Sequence, residues 1–115
     1  MGDPVVYFEI VGGDGPAQQG FYRDLFDWDV TPVESTGGTY GQAAGAGIAG
    51  GVGAFQGGPG YVTVYVRAED PAAALERAER LGGTRIMDAR EVRPGVTVAM
   101  FRDPAGNAVG LISGV

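Results

Sequence analysis

Residues 61–83 read YVTVYVRAEDPAAALERAERLGG, a strand, a capped helix and a helix stop in immediate succession. Positions 61–67 are β-branched or aromatic apart from the final Arg67, which specifies a strand. Asp70 is placed to cap a helix, and Pro71 suits the first helical position, where a missing N–H is no loss. Leu75, Ala78 and Leu81 recur at helical spacing as the stripe to be buried, Glu76 and Arg80 stand four apart as a supporting pair, and Gly82-Gly83 is the stop. Three further strands are expected at 85–91, 96–102 and 108–113. Asp103, Pro104 and Gly106 take the first, second and fourth places of a type I turn between the last two.

Working outward, the preceding half follows the same order. VVYFEIV at 5–11 reads as a strand, closed by Gly12-Gly13-Asp14-Gly15-Pro16. A short helix beginning at Pro16 and ending near Asp27 carries Phe21 with Leu25 and Tyr22 with Phe26, an aromatic face expected to pack on a sheet. From 28 to 55, short apolar runs broken by glycine read as two or three strands, and Gly57-Gly58-Pro59-Gly60 separates the halves. The pattern is βαβββ twice, with a repeat of roughly 55 residues. The expectation is one α+β domain over 1–115, with module 1 about 1–56 and module 2 about 60–115. Half a sheet cannot bury itself, so the two modules should form a curled mixed sheet, a cup with helices outside.

Composition removes whole classes of chemistry. The 115 residues include no Cys and no His, which excludes disulfides, thiolates, histidine ligands and any Ser-His arrangement. All eight basic residues are arginines, so Schiff-base chemistry is excluded too. The formal charge is −6, and residues 1–66 carry seven acids against Arg23 alone. A net-negative chain without a basic cluster is repelled by phosphate backbones and anionic lipid, so neither nucleic acid nor membrane is an expected partner. The opening Met1-Gly2-Asp3-Pro4 lacks export features, and a cytoplasmic location is the default expectation.

Strand alternation then sorts the side chains. Val6, Phe8 and Ile10 share one face of the first strand, leaving Tyr7 and Glu9 on the other. In 61–67 the faces are Val62, Val64 and Val66 against Tyr61, Thr63, Tyr65 and Arg67. The aliphatic faces are assigned to the helices and the mixed faces to solvent or a cavity.

VVYFEI, FYRDLFDWDV, the 61–83 segment and FRDPAGNAVGLI together resemble the vicinal oxygen chelate superfamily, which includes glyoxalase I, extradiol dioxygenases and antibiotic-binding resistance proteins. The resemblance implies a cup that in metal-dependent members holds a divalent ion on His, Gln or Glu. Here Tyr7 and Thr63 stand where histidines fall and Gly110 where a Glu falls, and Gln42 is taken for the fourth ligand position. No metal and no cofactor is therefore expected. The resemblance also implies a homodimer.

Two functions follow. One is a metal-free cup that binds and sequesters a small aromatic or cationic compound, lined by Tyr7, Glu9, Trp28, Tyr61, Thr63, Tyr65 and Arg67, with Gly110 leaving extra space. The other is an isomerase or lyase with Glu9 as base and Tyr7 or Arg67 stabilising an oxyanion. Plainer readings stand beside both: Glu9 paired with Arg67, Trp28 in the core, or a regulatory domain with a vestigial cup.

Overall fold

The computed structural model describes residues 2–55 and 59–115, so Gly57 and Gly58 of the expected break lie outside the described residues. The elements are β1 (Val5–Val11), α1 (Gly15–Phe26), β2 (Asp29–Pro32), a 3-10 turn (Glu34–Thr36), β3 (Tyr40–Ala44) and β4 (Ala49–Gly53). They continue with β5 (Tyr61–Arg67), α2 (Pro71–Arg80), β6 (Thr84–Arg93), β7 (Val96–Arg102) and β8 (Ala108–Ser113). The class is α+β, and the chain divides into two compact units.

The unit of residues 7–62 holds most of β1 with α1 and β2 to β4. Its strands run β2-β3-β4-β1, antiparallel except for the parallel pairing of β1 with β4. A parallel neighbour requires a long crossover, and α1 with the β2–β3 hairpin supplies it. Asp14 caps α1, its side chain accepting from the Ala17 N–H at 3.1 Å, and Asp27 ends it in the left-handed region, its N–H returning to Arg23. Phe8, Tyr22 and Trp28 pack against buried Val30, Ala43 and Val52.

The helix approaches the sheet differently from the sequence expectation. Its buried residues are Gly15 and Gln19, while Phe21, Leu25 and Phe26 are all more than half exposed. The reason is close approach at the N-terminal half. A side chain at Gly15 would strike the Thr39 carbonyl, one at Gly41 would strike Val30 and Gln19, and the Gln19 amide donates to the Gly38 carbonyl at 3.0 Å. Of the aromatic face, Tyr22 is the residue that reaches the cluster.

The second unit comprises residues 63–115 and those before Tyr7, with strands in the order β5-β8-β7-β6. Here β5 pairs β8 in parallel and the hairpins β6–β7 and β7–β8 are antiparallel. Asp70 caps α2 through the Ala73 N–H at 3.1 Å. Leu75 is fully buried against Ala99 and Leu111. The 103–107 turn is closed by Asp103, whose carboxylate accepts from Ala105 N, Asn107 N and the Asn107 amide, holding its pKa below the usual range.

Two expectations for this half need correction. Leu81 is not part of the buried stripe; it follows the last helical turn and is 70% exposed. The aliphatic row of β5 is not covered by a helix, since α2 packs on β6, β7 and β8, and Val62 and Val64 are 71% and 38% exposed. On the opposite face, Thr63 and Tyr65 are buried.

Leu75→Ala should lower unfolding free energy by about 2–5 kcal/mol in urea denaturation, the range for truncating a fully buried leucine, whereas Leu81→Ala at the exposed cap should stay within about 0.5 kcal/mol.

Candidate functional site

β1 carries Glu9 in register with Gly51 of β4, and Gly51 in turn with Gln42 of β3. Because side chains alternate, Tyr7, Glu9, Tyr40 and Gln42 all rise on one face of this unit, opposite the Phe8–Val52 cluster. Tyr40 pairs with Gly53, one row away from Glu9. It leans across Gly51, where a β-carbon would collide with its hydroxyl, and donates to Glu9 Oε2 at 2.8 Å. Tyr61, at the start of β5, donates to Glu9 Oε1 at 2.9 Å. The Tyr7 and Tyr40 hydroxyls are 2.7 Å apart, and Gln42 Nε2 lies 3.5 Å from Tyr7 Oη.

The result is a buried carboxylate, 5% exposed, with a phenol donor on each oxygen. Removing an ionised carboxylate from water costs several kcal/mol unless its oxygens are satisfied, and hydrogen bonds to a charged group return roughly 1.5–3 kcal/mol each. Burial raises the Tyr40 pKa far above its ordinary value, with Glu9 and then Tyr7 adding to the effect. Burial and Glu9 raise Tyr61 in the same direction.

The other residues singled out from sequence fall elsewhere. Trp28 stacks with Tyr22 at 5.8 Å and packs on Phe8 and Phe26, so it belongs to the α1 side and not to the face of Tyr7 and Glu9. Arg67 does not serve as the expected partner: its Nε donates to the Val115 carbonyl at 3.2 Å. In the second unit the Thr63 hydroxyl donates to the Ala108 carbonyl at 2.7 Å. Gly110 leaves no extra space there, because it pairs with Tyr65 and the Tyr65 ring covers the place of its missing side chain. Tyr40 is the residue that sequence reasoning missed. Its signal was available: Tyr40 and Gln42 alternate on one strand face, and a glycine opposite makes room for a large ring.

A cavity of about 300 Å³ opens beside α2, lined in part by Ala74, Ala78, Leu81 and Phe101. Its wall is mainly apolar, drawn from α2 and the strands and turn beside it, and it also includes Asp3, Arg77 and Asp103.

The family profile of a glyoxalase-like domain matches residues 12–112. The chain belongs to this family. No curated protein matches the sequence. Among solved structures, the glyoxalase-like domain is similar to a hypothetical protein from Bacillus halodurans, at 9% identity and a TM-score of 0.71, covering 97% of this chain and 94% of that one. It is also similar to a glyoxalase/bleomycin resistance protein/dioxygenase superfamily member from Vibrio splendidus, at 13% identity and 0.66, covering 96% and 98%. A third is methylmalonyl-CoA epimerase from Mycobacterium tuberculosis, at 13% identity and 0.62, covering 96% and 87%. At these identities the likeness is one of fold.

The superfamily's metal can be tested against the donors present. Thr63 spends its hydroxyl proton on a backbone carbonyl, Gly110 has no donor, and both oxygens of Glu9 already accept phenol protons. Among the described residues no three His, Cys, Asp or Glu side chains converge. This donor set does not fit a first-row transition metal.

The raised tyrosines predict an alkaline signature. Tyr40 and Tyr61 hold their protons when folded and lose them near pH 10 when unfolded. Their contribution is therefore complete below about pH 10 and is lost as pH rises above it. Denaturation at a series of pH values from 9 to 11 should show falling stability, and Tyr40→Phe, itself costing about 1.5–3 kcal/mol near neutrality, should flatten the fall.

Proposed function

We propose that this chain is a cytoplasmic, homodimeric, metal-free binding protein that sequesters a small organic molecule on the face bearing Tyr7, Gln42 and Tyr61. The observation carrying this reading is the occupation of both Glu9 oxygens by tyrosine hydroxyls. A general base needs a lone pair directed at the substrate proton. Glu9 is 5% exposed and gives a lone pair of each oxygen to Tyr40 and Tyr61, and the raised pKa of each phenol keeps it from acting as a phenolate base. What remains is a rigid surface of aromatic rings and an amide, suited to holding a molecule rather than converting it.

The family supports the reading too: the chain is glyoxalase-like over residues 12–112, and it carries Tyr7, Thr63 and Gly110 at the positions where the sequence resemblance implies metal ligands. Among the described residues no helix is long and apolar enough to cross a membrane.

Trp28 lies on the wrong face to report, so the test is an NMR titration. Aromatic fragments added in the presence of EDTA should shift the amides of Tyr7, Gln42 and Tyr61, and Tyr7→Ala combined with Tyr61→Ala should abolish the shifts. Native mass spectrometry of the same sample should give a metal-free dimer. Binding that requires an added divalent ion, or shifts confined to the α2 cavity, would overturn the reading.

A further inference from the structure

The class of molecule follows from where the hydroxyl protons of the site are spent, an inference that rests on the binding reading above. Tyr40 donates to Glu9 Oε2 and Tyr61 to Glu9 Oε1. A hydroxyl has one proton. With that proton committed, Tyr40 Oη accepts in its 2.7 Å contact with Tyr7, and Tyr7 is the donor there. Three phenol protons are thus drawn, directly or through a neighbour, toward one buried carboxylate. The half-buried Tyr61 oxygen meets a visiting molecule with lone pairs, not with a proton.

We propose that the site selects small organic cations bearing N–H donors, an aryl or alkyl ammonium, and rejects carboxylates and other groups that only accept. At the phenols, an acceptor would have to displace a proton from Glu9 and leave a buried carboxylate oxygen unsatisfied, with Gln42 Nε2, already turned toward Tyr7, as the one amide donor on this face, whereas an ammonium uses the phenol lone pairs as they stand.

Two independent observations point the same way. Residues 7–62 carry six carboxylates and one basic side chain, Arg23, whose guanidinium donates to the Val30 carbonyl at 2.9 Å. The field over this unit therefore favours cations. Aromatic rings also gather at the site, Tyr7 and Tyr61 with Tyr40 stacked on Phe55 at 5.1 Å, surroundings in which an ammonium gains cation–π attraction.

Benzylamine, benzyl alcohol and benzoate share a ring and differ in the group offered, so they form the probe set. NMR titration at pH 7 should give benzylamine the tightest binding, at least about tenfold over benzoate, with shifts centred on Tyr7, Gln42 and Tyr61. Benzoate binding there as tightly as benzylamine would overturn the ligand class while leaving the binding reading in place. No shift with any of the three would overturn both.

Glu9→Gln supplies the control on mechanism. Its amide N–H must donate to one tyrosine, whose proton then turns outward, so the preference should collapse to near parity. Should that variant fail to fold, Tyr40→Phe removes the acceptor that holds the Tyr7 proton and should reduce the preference in the same direction. A preference unchanged in either folded variant would overturn the proposal.

Discussion

Glu9 is the constraint around which the first unit is organised. A carboxylate on the second face of a parallel-paired strand, almost wholly buried, is tolerable only with both oxygens satisfied. The partners come from distant places in the chain, Tyr40 on β3 and Tyr61 at the start of β5. Holding them fixes how β1, β3 and β4 lie together: Tyr40 reaches Glu9 only across a residue without a side chain, and Gly51 occupies that position. Slipping β3 by one residue would turn Tyr40 to the α1 face and strand the carboxylate.

The same arrangement accounts for the chemical character of the site. Polar groups that satisfy one another inside a protein lose their freedom to act on a substrate, and gain fixed orientation in exchange. The phenols around Glu9 are held neutral, oriented and packed. That is poor equipment for proton transfer and good equipment for discrimination by hydrogen-bond direction.

Much of the architecture was legible in the residues. Asp70-Pro71 and Gly82-Gly83 mark both ends of α2, and the strands of the second unit lie close to where alternation puts them. The packing of α1 was less legible, because its contacts with the sheet are made by Gly15 and Gln19, while Phe21, Leu25 and Phe26 look like a core face and stay largely exposed. Hydrophobic periodicity reports what a helix has available to bury, not how closely a neighbouring backbone comes. On β1, alternation puts Tyr7 and Glu9 on one face, where both enter the phenol network. It is silent on Tyr40, because that contact depends on the register of β3 against a run of glycines in β4, and glycine carries no alternating signal to fix register by eye.

The glycines of the strands carry one further consequence. Gly50 lies under Phe8, Gly51 under Tyr40 and Gly110 under Tyr65, in each case a ring filling the volume that its strand neighbour leaves empty. Each pair behaves as a single packing unit divided between two strands, so neither member is free to change alone. Enlarging the glycine requires a smaller partner, and shrinking the ring opens a hole that the glycine cannot fill. Variation among chains built this way should travel in compensated pairs, with side-chain volume exchanged across the strands. At the Gly51–Tyr40 pair that exchange would alter not only packing but also the hydrogen bonding of Glu9, so a change in the polar network would arrive as a change in shape.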